Sequence, residues 1–569
     1  MSRPLPWLAH YDEGVPHTLA PYPDRTILDY IADAARTNPD SPALTFKGTR
    51  VSYGQLDRES SAFAAALQAL GVTKGDRVAL LLPNCPQFFV AEIAAWKIGA
   101  VVAPLNPIYT DRELEAPLRE HGVHTIVTLT RFYDRVRRLQ SSTGVTHIVA
   151  TNIKDYFPPL LRLLFTLLRE KKDGDRVTIA PEHHQYNALL RQHRDQKATA
   201  EPISPDDPAV LLMSGGTTGS AKGVLGTHRA YVHTGLQLAA WTKSVVGRGD
   251  TRTMLPLPMF HVYANVGVQA HCFVTANALV LVPNPRDLPD LLKTIQREKP
   301  NVINGVPTLY VAMLNHPDVK AGKIDFSPVK LCFCGAAALL ADTRSRFEQL
   351  TGGHIIEGYS LTEAMMALCV NPVMGTNKIG SAGLPLPDVR VGIVDADEGT
   401  AEMPAGEVGE ICFAGAQLMT GFWNRPDETA SVLRDRKGPD GSTTRWLHTG
   451  DLGYLDADGY LFIVDRKKDL IKTSGFQVWP REVEEVLATH PAVQEVGVAG
   501  VPDERRGEAV KAWVVLRAGQ TATEAELRAF CRESLAPYKV PVAIAFRPDL
   551  PKTLIGKVLR RALREDIGA

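Results

Sequence analysis

The sequence predicts an α/β protein: a large N-terminal domain of parallel sheets layered between helices, with a β-rich subdomain, followed by a small α+β C-terminal domain. Three observations carry this expectation. A chain of 569 residues exceeds what a single hydrophobic core serves, so at least two domains are expected. Helical and strand patterns alternate through the first third and again past residue 300, as in parallel sheets covered on both faces. After about residue 385 the texture changes to short strands separated by Gly and Asp turns.

Taken in order, "TILDYIADAARTNPD" repeats apolar residues at helical spacing, and "YGQLDRESSAFAAALQALGV" is a longer helix ending at Gly71. "RVALLLPN" is a continuous apolar strand, and "PQFFVAEIAAWKIGAVVAPLNP" reads as helix then strand. The segment 153–176 is apolar, broken by Arg162 and closed by Arg169, Glu170, Lys171 and Lys172. It suits an amphipathic helix at a membrane surface or interface, or a helix buried in the core. Further on, "VKLCFCGAA" reads as strand and turn, and "GGHIIEGYSLTE" as strand and loop. "VRVGIVD", "GEVGEICFAG" and "WLHTGDLGYLDADGYLFIVDR" make the β-rich subdomain, about residues 385–464. The run "DRKKD" (465–469) then precedes a compact α+β pattern, placing a boundary between domains 1–466 and 467–569. There Pro480 is suited to open the helix "PREVEEVLATH", and Thr523 with Glu526 has capping-box spacing.

Composition excludes some classes. Lys+Arg and Asp+Glu both total 63, so no electrostatic argument favours nucleic acid as a partner. Seven scattered cysteines, with only Cys332 and Cys334 close together, give no zinc spacing and read as small apolar residues in a reducing, cytoplasmic setting. The N-terminus lacks an apolar core of signal-peptide length, and no stretch reaches the roughly 18–20 apolar residues of a membrane span.

Chemistry is concentrated in a few stretches. "LMSGGTTGSAKG" (212–223) follows an apolar run; its glycines free backbone N–H groups for an anion, its hydroxyls add donors, and Lys222 adds a charge. It is not a Walker A loop, because Ala221 precedes the lysine and Gly223 follows it; Gly556-Lys557 fails the same test. Ser360 sits in a near-miss to the G-x-S-x-G elbow, but the final glycine is missing and Thr362 would obstruct so tight a turn. Tyr359, Thr362 and Glu363 suit a base, a phosphate and a magnesium ion better. Asp451 is an acceptor suited to a ribose diol, with a turn aspartate as the ordinary alternative; Arg466 and Lys472 flank Asp469 near the interdomain run.

Together and in this order, "SGGTTGSAKG", "GYSLTE", "HTGD", "DRKKDLIKTSGFQVWPREVE" and "PKTLIGK" resemble the adenylate-forming superfamily of acyl-CoA synthetases, firefly-type luciferases and peptide-synthetase adenylation domains. The resemblance runs from about Thr26 to Arg560 and is closest to bacterial long-chain fatty-acid CoA ligases. It implies that Ser214, Gly215, Gly216, Thr217, Thr218, Gly219 and Lys222 surround the β,γ-phosphates of ATP. Gly335, Ala336 and Ala337 would line the adenine pocket, with Gly358 beside it and Tyr359 stacked on the base. Thr362 would contact the α-phosphate, Glu363 would bind Mg²⁺, and Asp451 with Arg466 would hold the ribose. Lys557 would serve adenylation; Lys472 and the turn at Gly475 would serve the second, CoA-dependent step after the mobile C-terminal domain rotates about a hinge at Lys468. His261 matches a gate beside the acyl pocket.

The implied activity is an AMP-forming fatty-acyl-CoA synthetase using ATP, Mg²⁺ and coenzyme A. Residues 255–269 contain no acidic side chain to pair with an α-ammonium, which argues against an amino-acid substrate. A medium- to long-chain fatty acid is favoured, with an aryl (hydroxycinnamate-type) CoA ligase or a fatty-acyl-AMP ligase loading a carrier protein as alternatives. The resemblance also implies a homodimer, and segment 153–176 a peripheral membrane contact.

Overall fold

A computed structural model describes residues 5–199, 202–214, 222–336, 339–437, 441–474, 476–552 and 558–565. Among them, two large sheets form the N-terminal part. In the first, Pro42–Phe46, Ala278–Leu281, Arg252–Leu255, Val302–Gly305, Leu331–Cys334 and His354–Leu361 run parallel as neighbours. In the second, Val101–Pro104, Arg77–Leu81, Thr125–Leu129 and His147–Thr151 run parallel. Their apolar runs are buried on both faces, which is why they read as continuous rather than alternating. The helix Pro86–Lys97 is buried from Pro86 to Trp96.

The expectation of parallel sheets needs correction at the edges. Thr49–Ser52 and Met366–Val370 pair antiparallel at the margins of the first sheet. In the second, Pro208–Ser214 turns back as an antiparallel hairpin with Lys222–Thr227, Ser214 opposite Lys222. The sequence pattern marks a strand but not the direction of its neighbour, and the second arm, "KGVLGT", is interrupted by glycine.

Arg390–Val394, Gly409–Ala414, Thr443–Leu455, Leu433–Lys437 and Leu461–Arg466 form an antiparallel sheet. Asp451 therefore lies inside a long strand, which overturns the alternative of a turn aspartate. After the exposed turn Lys467–Lys468, a separate sheet begins at Ile471–Thr473, with Gly507–Leu516 paired to Val493–Asp503 and Ala543–Phe546. Ile471, Val483, Leu487, Val514 and Leu527 give this part its own core. Its helix Pro480–Ala488 has Pro at its first position, and Thr523 and Glu526 bond reciprocally at the start of Glu524–Ser534.

Segment 153–176 contains the ten-residue helix Pro159–Leu168, none of whose residues is buried. Leu160, Leu167 and Leu168 are 69%, 70% and 68% exposed, so a core helix is excluded. Phe165 meets Phe157 edge-on at 5.5 Å, and Lys154 Nζ donates to Thr166 Oγ1 at 3.0 Å. The seven cysteines are buried and free, as their apolar reading expects.

Candidate active site

The parallel strands Leu331–Cys334 and His354–Leu361 end side by side, where open α/β sheets bind ligands. The chain leaves the first through Gly335 and Ala336. A Cβ on Gly335 would stand 3.0 Å from the Tyr263 ring, so glycine permits that close approach. Ala336 holds φ +70°, a left-handed conformation that costs a residue with a Cβ about 1 kcal/mol or more. Gly358 sits in the second strand, one position past the Cys334–Glu357 pair.

Asp451, Tyr359 and Arg466 form the centre. Strand register sets Asp451 directly opposite Arg466. The Tyr359 hydroxyl donates to Asp451 Oδ2 at 2.5 Å, and Arg466 Nε lies 3.1 Å from Oδ1. Burial opposes the Arg466 charge, but Asp451 outweighs it and holds the guanidinium above its usual range. A buried acceptor anchored by a phenol and a guanidinium is a preorganised seat for a diol beside a flat aromatic ring.

Thr362 and Glu363 occupy the turn that follows. The Glu363 carbonyl accepts from Met419 N–H at 3.0 Å, and burial pushes its carboxyl above the usual range despite the pull of Arg466 and Lys222. Met365 and Met366 then adopt φ +50° and +103°, the second far from ordinary for a bulky residue. Each is seated in a glycine notch. A Cβ on Gly226 would fall 2.0 Å from the Met365 side chain, and one on Gly267 2.5 Å from that of Met366. Thr234 Oγ1 donates to the Met365 carbonyl at 3.0 Å. These contacts hold the strained turn that presents Glu363.

Ser214 and Lys222 face each other across the mouth of the hairpin. The Lys222 ammonium bonds Glu428 and lies 4.9 Å from the centre of the Phe422 ring. Glu428, which Lys222 holds below the usual carboxylate range, is a partner the sequence reading missed. Gly215, Gly216, Thr217, Thr218, Gly219, Ala337, Gly475 and Lys557 lie outside the described residues.

His261 precedes a wide π-type turn, Tyr263–Val268. Its carbonyl accepts from Asn265 N–H at 3.0 Å, and desolvation drives its imidazole down to about 4. Asn265 Nδ2 and Gln269 Nε2 donate to Glu92 at 2.7 and 2.8 Å, and Tyr231 bonds Asn265 Oδ1. Burial raises the Glu92 carboxyl to about 8. Glu92 was absent from the sequence reading, although a lone acid in an otherwise apolar helix is the signal that could have revealed it. Lys472 and Lys468 are exposed; Lys472 N–H donates to Glu508 at 2.8 Å. They are not gathered with the Asp451 cluster in this arrangement.

Two sheets ending at a polar cluster of this make define a class. Residues 31–423 match the family described as AMP-binding enzyme and residues 482–557 its C-terminal domain, so the chain belongs to that family. More particularly, it is 40% identical over 567 residues to the long-chain-fatty-acid–CoA ligase of Bacillus subtilis strain 168, covering 100% of this chain and 99% of that one. The long-chain-fatty-acid–CoA ligase of Escherichia coli O6:H1 is 36% identical over 564 residues, covering 98% of both chains. The 4-coumarate–CoA ligase 2 of Oryza sativa subsp. japonica is 34% identical over 554 residues, covering 95% and 92%. Among solved structures, ATP-bound MatB from Rhodopseudomonas palustris superposes with a TM-score of 0.81 at 28% identity, covering 96% and 99%.

Proposed function

We propose that this chain is an AMP-forming fatty-acyl-CoA synthetase. The observation that carries the reading is the full-length likeness to long-chain-fatty-acid–CoA ligases combined with the buried Tyr359–Asp451–Arg466 cluster beside Glu363. A carboxylate is a poor electrophile. In the first step its oxygen attacks the α-phosphorus of ATP, the bond to the β-phosphate oxygen breaks, and pyrophosphate leaves. In the second, the CoA thiol attacks the acyl carbonyl of the adenylate, loses its proton and expels AMP.

Asp451 accepts from the ribose hydroxyls, Tyr359 offers its ring to adenine, and Arg466 balances charge beside the phosphates. Ser214, Lys222 and the loop between them clamp the phosphates that leave, while Thr362 bonds the α-phosphate. Lys557 serves adenylation and Lys472 the thioester step, with the unit 467–569 turning at Lys468 against 1–466 between them. Gly335, Ala336 and Ala337 wall the adenine, Gly475 lies on the CoA side, and His261 closes the acyl pocket. Among the described residues no group of three or more His, Cys, Asp or Glu gathers to hold a metal. Glu363 alone fits Mg²⁺, which characteristically takes one or two carboxylates plus substrate phosphates; when bound, the ion neutralises charge on phosphate oxygens.

The acid class is tested by pyrophosphate release across aliphatic acids of graded length, cinnamates and amino acids. Long and medium aliphatic acids are expected to support release. Activity with cinnamates alone would transfer the assignment to the aryl reading, which the 34% identity to the rice ligase supports. The chain works in the cytoplasm, touching anionic lipid through the leucine face of Pro159–Leu168. Arg162, Arg169, Lys171 and Lys172 lie on and beside that helix, where they complement lipid phosphates.

A further inference from the structure

Asp465, the next-to-last residue of the strand Leu461–Arg466, has a side chain only 2% exposed. Its Oδ1 accepts from its neighbour's backbone, Arg466 N–H, at 2.7 Å. The other bonds come from beyond the turn. Arg481 N–H donates to Oδ2 at 2.8 Å, and Arg560 Nη1 donates to Oδ1 at 2.7 Å. Arg481 Nη1 also donates to the Ile463 carbonyl at 2.9 Å.

Arg560 has two kinds of partner. Glu484, taken by Nε at 3.1 Å and Nη2 at 2.8 Å, and Asp469, at 3.2 Å, follow the turn Lys467–Lys468 and lie on the same side as Arg560. Asp465 precedes the turn and belongs to the β-rich sheet. Burial opposes the Arg560 charge, and Glu484 with Asp465 and Asp469 overcomes it. The side chain is 17% exposed, so parting it from Asp465 leaves one buried carboxylate short of its cation. Arg466, which faces Asp451, is the residue next to Asp465. Lys557 stands three residues before Arg560 in sequence, whereas Lys472 is exposed, with its backbone N–H donating to Glu508.

We propose that the Asp465–Arg560 pair is an orientation clasp: it holds the C-terminal unit in the arrangement that serves adenylation and must open before the thioester step. Both are positioning residues. The proposal rests on the reading that the unit 467–569 adopts two orientations, and it adds which side-chain contact biases them. Glu484 provides the internal control, since its bond to Arg560 travels with the unit and is the same in either orientation.

The test separates the half-reactions in the full-length enzyme. Asp465→Asn is expected to slow pyrophosphate release about tenfold, the scale of a typical coupling between two states. Thioester formation from supplied acyl-AMP and CoA is expected to stay at or above the parent rate. Arg560→Lys, which keeps the charge and loses the fork, should show the same bias more weakly and guards against misfolding of the first variant. Glu484→Gln should lower the unfolding temperature without favouring either step. Lys557→Ala and Lys472→Ala test the parent reading: the first should abolish adenylation and spare the second step, and the other should do the reverse. If the lysines divide the steps while Asp465→Asn slows both equally, the clasp is wrong and the two orientations stand. If the lysines do not divide them, both ideas fall together.

Discussion

Removing the carboxylate charge of Asp451 strands two partners at once, the Tyr359 hydroxyl and the Arg466 guanidinium. Asp451→Asn keeps the volume and loses the charge-assisted contacts, so it is expected to cost ~1–3 kcal/mol in stability and to raise KM for ATP at least several-fold. Denaturant unfolding and initial rates check both; an unchanged KM would remove Asp451 from the nucleotide seat. His261 makes a second residue-scale prediction. Desolvation lowers its imidazole from 6.5 to about 4, so it is neutral above that pH and charges only as pH falls toward it. The pH profile of kcat/KM for the acid substrate should therefore show no limb near 6.5 that disappears in His261→Phe. Such a limb would contradict a desolvated gate.

At the scale of elements, Glu92 couples the buried helix Pro86–Lys97 to the turn after His261. An unfolded glutamate loses its proton near 4.5, while the folded one keeps it until about 8. The folded state holds the extra proton between these values, so stability falls by about 1.4 kcal/mol per pH unit as pH rises through that window. Glu92→Gln should flatten this slope, most visibly as a raised Tm relative to the parent at pH 8; an equal slope in both proteins would refute it. The leucine helix makes the other prediction: Leu163→Ser with Leu167→Ser should weaken co-sedimentation with anionic liposomes and leave soluble-substrate rates unchanged. Unaltered sedimentation would assign the face elsewhere, and a loss of dimer would assign it to a second copy.

Much of this was legible because the chemistry demands particular residues close together in sequence. Tyr359, Thr362 and Glu363 stand within five positions, and Ser214 and Lys222, from one short motif, face each other across a hairpin. What remained hidden was contact between distant segments. Arg560 meets Asp465 across 95 positions, and Lys222 meets Glu428 only because the distant strand Gly421–Phe422 pairs with Lys222–Thr227. Spacing has nothing to say about either. The antiparallel edges were missed for a related reason, since a strand's apolar pattern records its burial and not its neighbour's direction.

For the molecule as a whole, separate cores lie on either side of Lys467–Lys468, and Arg560 and Arg481 both donate to Asp465 between them. An AMP-forming acyl-CoA synthetase works in two steps through a bound adenylate. The most direct measurement of this is the product inventory from ATP and a long-chain fatty acid, with and without CoA. Pyrophosphate and enzyme-bound acyl-AMP are expected when CoA is absent, and acyl-CoA with AMP when it is added. Release of ADP and phosphate, or thioester formed without pyrophosphate, would contradict the two-step scheme.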